Sequence, residues 1–196
     1  MIIWLNGPFG VGKIQVAAEL QRRINGAILY DPHELGRLLT KQLPKALQED
    51  NFEDYPEWRQ WTYQLLKKMA TQTQQTIIVP MAVSKQQYFD EIIGGLRHDG
   101  ITVRHFTLAA TPTVIAQRLR QHGNLNNRFT LSHLQRLSEQ TETPQFAEIL
   151  DTNELSIVEV ANTIAKKCSI RIKPAITNPL LQGAVQLGTG ILHQFR

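Results

Sequence analysis

The sequence predicts a three-layer α/β fold, in which helices cover both faces of a five-stranded parallel sheet. Short apolar, β-branched runs alternate along the chain with segments of helical periodicity, a pattern typical of a parallel sheet that is buried on both faces. The first apolar run leads directly into a glycine-rich loop and then into a helical pattern. The 196 residues, of which 42% are hydrophobic, suffice for one core. We therefore expect one domain over residues 1–173 and an apolar tail at 174–196.

The predicted elements follow one another in a regular order. Strands are expected near residues 2–6, 26–30, 76–80, 102–108 and 147–151. Helices are expected near residues 12–24, 32–42, 56–74, 85–98, 111–121, 131–141 and 156–167. Gly26 and Gly100 stand just past two of these helices, where a left-handed residue commonly ends a helix. In open sheets of this kind ligands bind at the carboxyl ends of the strands, so the residues after each strand are candidates for a site.

The first strand is followed by the sequence GPFGVGKI at residues 7–14. This is the phosphate-binding loop (P-loop) G-x-x-x-x-G-K-[ST] with one departure, because Ile14 stands where the loop has a hydroxyl residue. In such loops the backbone N–H groups converge on phosphate oxygens, the lysine meets the terminal phosphates and the hydroxyl holds Mg²⁺. We therefore predict nucleotide binding, with Mg²⁺ binding weakened by Ile14. The predicted nucleotide-binding residues of the loop are Gly7, Phe9, Gly10, Val11, Gly12, Lys13 and Ile14.

The second strand ends at Asp31, which is followed by Pro32, His33 and Glu34. A carboxylate here faces the P-loop across the cleft, where it could accept a proton from a substrate hydroxyl or orient Mg²⁺ through water. Aspartate, proline and glutamate at this spacing are also a capping signature for the next helix. Both roles remain open for Asp31, since a cap residue at a strand end can perform both. His33 is expected to be a solvated first-turn residue.

Aromatic residues are concentrated just before and inside the third predicted helix. A helix in this region places Tyr55, Trp58 and Trp61 near one face, with Arg59 offset from it. One interpretation is a substrate-binding acceptor pocket, in which Tyr55 and Trp58 form an apolar wall and Arg59 supplies a cation. The other interpretation is core packing with a surface arginine. The sequence leaves both open.

The third strand ends in Pro80 and Met81, without the terminal aspartate that many P-loop proteins use to anchor Mg²⁺. Together with Ile14, this absence leaves few protein oxygen ligands for Mg²⁺, and we assign no metal ligands. Met81 either lines the cleft as a substrate-binding residue or fills the core.

The helix after the fourth strand carries Arg118 and Arg120 and runs into a stretch rich in glycine and asparagine that contains Arg128. This composition is typical of a mobile lid that closes over phosphates, so we expect a lid near residues 118–130. Arginine suits this task because its fork grips phosphate oxygens at two points. Arg118 and Arg120 are two residues apart and cannot face the same way on a helix, so one of them is expected to be solvated.

Arg120 is predicted to bind the nucleotide. The predicted catalytic residues are Lys13, Asp31, Arg118 and Arg128.

The last strand leads into a polar loop at residues 151–156, where Ser156 and Glu159 have the spacing of a capping box. This loop could also place backbone groups against a nucleotide base. Beyond the last helix, residues 175–196 are apolar and carry one formal charge. Packing of this tail against the domain and contact with a membrane surface both remain open, although its scarcity of lysine and arginine disfavours the second.

The composition limits which binding partners and which cellular compartment can be expected for this protein. The net charge is +4 and the positive residues are scattered, which suits phosphate ligands and does not indicate nucleic acid. Cys168 is the only cysteine, so an intramolecular disulfide is excluded, as is typical of a reducing compartment. The N-terminus lacks the pattern of a secretory signal. We expect a cytoplasmic protein, with peripheral contact at the inner membrane face through residues 175–196 as an alternative, and the sequence is compatible with a homodimer.

A family resemblance rests on eight stretches of the chain. They are MIIWLNGPFGVGK at the start, YDP at 30–32, YPEWR at 55–59, IVPM at 78–81, YFDEIIGGLR at 88–97, HFTL at 105–108, RLR at 118–120 and the DTNELSI loop. They cover most of residues 1–168 in order and resemble the tunicamycin-resistance ATP-binding protein family, relatives of small-molecule P-loop kinases. The P-loop is common to a vast superfamily, whereas YPEWR and IVPM are more specific.

This resemblance implies ATP binding, a fold like that of nucleoside and shikimate kinases, and a role in resisting tunicamycin, a nucleoside antibiotic with a fatty acyl chain. It also implies phosphate-binding roles for Gly10, Gly12 and Lys13, and acceptor-side roles for Asp31 and Arg59. The family has threonine where this chain has Ile14. The favoured hypothesis is phosphoryl transfer from ATP to a hydroxyl of tunicamycin or a related nucleoside, bound in the cleft between residues 31–63. The alternative is a non-catalytic, ATP-dependent protein that sequesters the drug.

Overall fold

A five-stranded sheet forms the centre of the protein. The computed structural model describes residues 1–121 and 148–176. The strands are β1 (Ile2–Asn6), β2 (Ile28–Leu29), β3 (Ile77–Pro80), β4 (Val103–Ala109) and β5 (Ile149–Asp151). They lie in the order β2-β3-β1-β4-β5, and each neighbouring pair is parallel. The predicted five-stranded parallel sheet is confirmed, and each strand overlaps its predicted range.

Helices connect the strands. They are α1 (Lys13–Arg23), α2 (Pro32–Gln42), α3 (Pro56–Gln72), α4 (Gln86–Phe89), α5 (Gly95–His98), α6 (Pro112–Gln121) and α7 (Ile157–Lys167). A π-helical turn at Asp90–Gly94 joins α4 to α5, so the single helix predicted over 85–98 is interrupted. Two 3-10 turns, Lys45–Leu47 and Phe52–Asp54, lie between α2 and α3. The helix predicted near 131–141 lies outside the described residues.

The sheet has a hydrophobic core on each face because side chains alternate along its strands. Ile2 and Trp4 pack on the face that is covered by α3, α4 and α5. Ile3 and Leu5 pack on the opposite face, against α1 and α7. All four side chains are fully buried. The predicted three-layer arrangement is therefore confirmed.

Most helix ends follow the signals that predict them. Gly26 and Gly100 have φ of 68° and 79°, the left-handed conformation expected after α1 and α5. Ser156 begins α7 with a complete capping box, in which its hydroxyl accepts the N–H of Glu159 and the Glu159 carboxylate accepts the N–H of Ser156.

The described chain continues past α7 to residue 176 and is tied to α1. Arg23 Nε donates to the carbonyl oxygen of Lys173 at 2.7 Å, and the Lys173 N–H donates to the Arg23 carbonyl oxygen at 2.8 Å. Residues 177–196, most of the predicted tail, lie outside the described residues, so both interpretations of the tail stay predictions. None of the helices in ranges 1–121 and 148–176 combines the length and the apolar character needed to cross a membrane.

The residues that follow the strands meet at one edge of the sheet, because all five strands run the same way. Asp31 follows β2, residues 81–84 follow β3, residues 7–12 follow β1, and Thr152 follows β5. The P-loop therefore lies near the middle of this edge. Asp31 lies on one side of it, beyond β3, and Thr152 lies on the other.

Candidate functional site

Three glycines shape the loop between β1 and α1. Gly7, Gly10 and Gly12 have φ of 131°, 81° and 104°, a region that other residues rarely adopt. A Cβ on Gly7 would also collide with the backbone oxygen of Leu108 on β4. Gly12 begins α1 without a side chain to cap it, so the first-turn N–H groups and the helix dipole are directed at the loop. This backbone has the properties of an anion site.

Lys13 is the first residue of α1, and its side chain folds back over the loop. Nζ donates to the carbonyl oxygen of Gly7 at 2.8 Å and to that of Pro8 at 3.0 Å. Burial lowers the pKa of Lys13 from its ordinary value to about 8. Both of these partners among the described residues are neutral, and a bound phosphate would supply a counter-charge to the ammonium.

The loop fits a polyphosphate better than it fits Mg²⁺. Ile14 brings no oxygen to the first turn of α1, and the residues that follow β3 are Met81, Ala82, Val83 and Ser84, with no carboxylate among them. Within the described parts of the chain, no three His, Cys, Asp or Glu side chains come together as a potential metal site. A metal ion here would take most of its ligands from phosphate oxygens and water.

A carboxylate that sequence reasoning missed reaches this edge from another part of the chain. Glu53, in the 3-10 turn Phe52–Asp54, accepts the backbone N–H of Ser84 at 2.9 Å and also the Ser84 hydroxyl. Burial raises the pKa of the Glu53 carboxyl above its ordinary value, while the hydrogen bonds from Ser84 oppose the rise. No local pattern signals this pair, because its members are far apart in the sequence and meet only in the fold.

Asp31 is the N-cap of α2, as its sequence signature predicts. Its Oδ1 accepts the backbone N–H of His33 at 3.0 Å and lies 2.7 Å from His33 Nδ1. Arg37 Nη2 is 4.0 Å from the other carboxylate oxygen. His33 lies in the first turn of α2, as expected, but its side chain is only partly solvated at 32% exposure, and its ring meets that of Phe52 edge-on. The catalytic role of Asp31 stays a prediction.

The residues predicted to wall an acceptor pocket are mostly buried. Trp58 is completely buried, and its Nε1 donates to the carbonyl oxygen of Pro32 at 2.9 Å. Tyr55 and Met81 are also buried in the core beside α3. These contacts correspond to the core-packing interpretation that the sequence left open. Direct contact of the three side chains with an acceptor stays a prediction.

Arg59 is not the surface arginine of the core-packing interpretation, because it is only 7% exposed. Its Nε pairs with Glu91 at 2.5 Å, and its Nη1 donates to the carbonyl oxygens of Glu53 and Asp54 at 2.7 and 3.1 Å. The guanidinium carbon lies 4.2 Å from the centroid of the Tyr88 ring. Arg59 therefore holds the turn Phe52–Asp54 against Tyr88 of α4 and Glu91 of the π-helical turn.

Arg118 connects α6 to the P-loop. Its Nη1 donates to the carbonyl oxygen of Val11 at 3.2 Å and to Thr152 Oγ1 at 3.1 Å, and its Nη2 donates to the Thr152 carbonyl oxygen at 2.5 Å. Arg120 is exposed, so the expectation that one of the two arginines is solvated is confirmed. Arg128, and with it most of the predicted lid at 118–130, lies outside the described residues.

Together these residues form a cationic, glycine-lined edge with a carboxylate to one side. The loop N–H groups, Lys13 and Arg118 can hold a polyphosphate. Phe9, at the tip of the loop, is 48% exposed, whereas Val11 is buried beneath it. Asp31 lies across β3 from the loop, on the side where a second substrate could approach.

The fold and the loop define the class of the protein, a kinase-like P-loop domain. Residues 2–144 match the family model described as an AAA domain. Two kinases share the fold. A gluconokinase from Sinorhizobium meliloti 1021 is 17% identical, with a TM-score of 0.58 and coverage of 85% of this chain and 93% of the kinase. Shikimate kinase from Bacteroides thetaiotaomicron is 16% identical, with a TM-score of 0.57 and coverage of 87% and 99%.

A more specific relationship comes from the tunicamycin resistance protein of Deinococcus radiodurans. It is 30% identical to this chain, with a TM-score of 0.75 and coverage of 89% of this chain and 98% of that one. No curated protein sequence matches the chain. The chain belongs to the AAA domain family and to the family of the tunicamycin resistance protein.

Proposed function

We propose that the protein binds ATP at residues 7–14 and transfers its terminal phosphoryl group to a hydroxyl of a tunicamycin-like nucleoside antibiotic. The observation that carries this proposal is the loop itself, in which three glycines have positive φ and the buried Lys13 ammonium donates to two backbone carbonyl oxygens of the loop. The antibiotic is suggested by the name of the Deinococcus radiodurans relative. Kinase-like relatives suggest transfer in preference to hydrolysis.

In this mechanism the acceptor hydroxyl attacks the terminal phosphorus of ATP. A new O–P bond forms as the bond to the bridging oxygen breaks, and ADP leaves. Lys13 and Arg118 stabilise the charge on the transferring group, and Arg128 is proposed to join them. Arg120 is proposed to bind the nucleotide, and Asp31 accepts the proton of the acceptor hydroxyl. When bound, Mg²⁺ would supply shielding of the phosphate charge, and Ile14 would contribute no ligand to it.

The test is mass spectrometry of tunicamycin after incubation with the protein, ATP and Mg²⁺. We expect a product that is heavier by one phosphoryl group. The matched variant is Asp31→Asn, because asparagine still caps α2 but cannot serve as the base. We expect it to bind ATP and yield little product. Tight binding of ATP and tunicamycin by the unmodified protein without any phosphorylated product would exclude transfer.

The second candidate is a binding protein that sequesters the antibiotic and uses ATP as a conformational ligand only. Ile14 favours this candidate, because the loss of the loop hydroxyl affects catalysis more than it affects phosphate binding. Under this proposal, product is absent and ATP still changes the affinity for tunicamycin. Cytoplasmic location, homodimer formation and membrane contact through residues 175–196 remain proposals, and liposome flotation with and without that segment tests the last.

A further inference from the structure

The first glycine of the P-loop is held by a side chain of the central strand. Asn6 is the last residue of β1 and is only 3% exposed. Its Oδ1 accepts the N–H of Gly7 at 2.9 Å and the N–H of Val83 at 3.1 Å, and its Nδ2 donates to the Val83 carbonyl oxygen at 3.3 Å. The amide of Asn6 therefore joins the start of the P-loop to the segment that follows β3.

The segment that follows β3 is also held from the side of the site on which Asp31 lies. Ser84 follows Val83 directly, and both its backbone N–H and its hydroxyl donate to the Glu53 carboxylate. Glu53 lies in the turn Phe52–Asp54, whose Phe52 ring contacts His33 beside Asp31. The turn thus bridges the edge of the sheet between Asp31 and the P-loop.

The turn is itself fixed at several points. Arg59 donates to the carbonyl oxygens of Glu53 and Asp54, as described above. The Asp54 carboxylate accepts from Lys85 Nζ at 2.7 Å and from the Tyr88 hydroxyl at 2.8 Å. These bonds connect the turn to Lys85 and Tyr88, which follow Ser84 in the chain. A displacement of the turn must therefore be transmitted to residues 83–85.

We propose that Glu53 is a positioning residue, which holds the P-loop in its phosphate-binding conformation through Ser84, Val83 and Asn6. This inference rests on the proposed binding of ATP. Glu53 lies outside the P-loop motif. Arg59 contributes to the same positioning, because its side chain fixes the turn that carries Glu53.

The test compares two substitutions at one position. In Glu53→Gln the amide oxygen can accept the Ser84 N–H and the amide nitrogen can donate to the Ser84 hydroxyl, so both contacts are retained without charge. In Glu53→Ala both are lost. By titration calorimetry we expect Glu53→Ala to weaken ATP binding about tenfold and Glu53→Gln to leave it within about twofold.

A matched control removes a carboxylate with similar partners at the other end of the sheet. Asp99 lies before β4, accepts the Tyr63 hydroxyl at 2.5 Å and pairs with Lys67 at 3.1 Å. Asp99→Ala is expected to leave ATP affinity within about twofold of the unmodified protein, since surface pairs contribute little and this one lies far from the loop. A tenfold loss in this variant as well would reduce the Glu53 effect to general destabilisation and overturn the proposal.

Hydrogen exchange without ligand separates this proposal from the proposed function. The amides of Gly7 and of residues 9–13 are expected to exchange faster in Glu53→Ala than in the unmodified protein, and at an unchanged rate in Glu53→Gln. If the unmodified protein fails to bind ATP, the proposed function fails, and this exchange pattern alone decides the role of Glu53. Equal exchange in all variants would overturn it, as would a glutamine variant as weak as the alanine variant. If Glu53→Ala does not fold, Ser84→Ala provides the milder loss of one contact, with an expected weakening of about threefold.

Discussion

Two adjacent residues at the start of α1 determine whether the P-loop favours a phosphate or a metal ion. Lys13 brings a cation whose described hydrogen-bond partners are neutral carbonyl oxygens. Ile14 brings a hydrocarbon side chain to the position where the P-loop motif has a hydroxyl. The first residue favours phosphate, and the second disfavours a metal ion. Each therefore gives a prediction that a single substitution can test.

The ionisation of Lys13 predicts a pH-dependent affinity for ATP. Its pKa in the folded protein is about 8, below the ordinary value of 10.5, so between these values the unfolded chain binds more protons and the contribution of Lys13 to stability rises with pH. ATP has the opposite preference, because phosphate oxygens stabilise the charged ammonium. We expect ATP affinity to fall as the pH rises through about 8, with proton uptake on binding near that pH.

Titration calorimetry in buffers of different ionisation enthalpy measures both quantities. Lys13→Arg is the control, since arginine stays charged throughout this range. If that variant binds ATP, its affinity should not change between pH 7 and pH 9. An affinity of the unmodified protein that is equally constant over this range would contradict the prediction.

Ile14 predicts a weak dependence of ATP binding on Mg²⁺. We expect Mg²⁺ to strengthen ATP binding only slightly in the unmodified protein, and by several-fold more in Ile14→Thr, because threonine restores the oxygen ligand. Ile14→Val is the matched control, since valine has the shape of threonine without the hydroxyl. The measurement is calorimetric titration of ATP with and without Mg²⁺. A large Mg²⁺ effect in the unmodified protein would show that the metal finds its ligands elsewhere.

At the scale of elements, the P-loop is shaped by the strand beside it as well as by its own glycines. Gly7 has φ of 131° and lies against the Leu108 carbonyl of β4. Gly94, by contrast, has a helical conformation, and the nearest atom to a Cβ there would be 3.7 Å away. Substitution by alanine should therefore change the free energy of unfolding in opposite directions at these two glycines.

Gly7→Ala is expected to abolish ATP binding and to lower the free energy of unfolding by about 1–3 kcal/mol, from strain at a positive φ together with the collision with β4. Gly94→Ala is expected to raise the free energy of unfolding by about 0.5–1 kcal/mol, because alanine favours the helix, and to leave ATP binding intact. Urea denaturation and calorimetry measure the two effects. Normal ATP binding by Gly7→Ala would show that the loop adopts another conformation when ATP is bound.

At the scale of the whole molecule, a ligand that binds only the folded protein should stabilise all of it. ATP at 100 times its dissociation constant is expected to raise the free energy of unfolding by about 2.7 kcal/mol. The measurement is thermal unfolding at increasing ATP concentration. Lys13→Met serves as the control and should show a much smaller shift. Equal shifts in both proteins would indicate that ATP binds away from the P-loop.

The architecture could be predicted from local patterns, whereas much of the site could not. Strand positions follow from runs such as Ile2–Asn6, and the P-loop from glycines that the backbone itself requires. The pairing of Glu53 with Ser84 and the burial of Arg59 depend on contacts between distant segments, which no periodicity reports. Trp58 shows the same limit, since an aromatic residue on a helix face suits a pocket and a core equally well until its neighbours are known.

The central position of β1 also affects the order in which the parts of the protein can fold during synthesis. The strand that leads into the P-loop is synthesised before both of its partners, which begin at Ile77 and Val103. Until both have been synthesised, β1 has at least one unpaired edge, and its four large apolar side chains lack a complete core. The P-loop is thus synthesised before the segments around Val83 and Leu108 that hold it in its binding conformation.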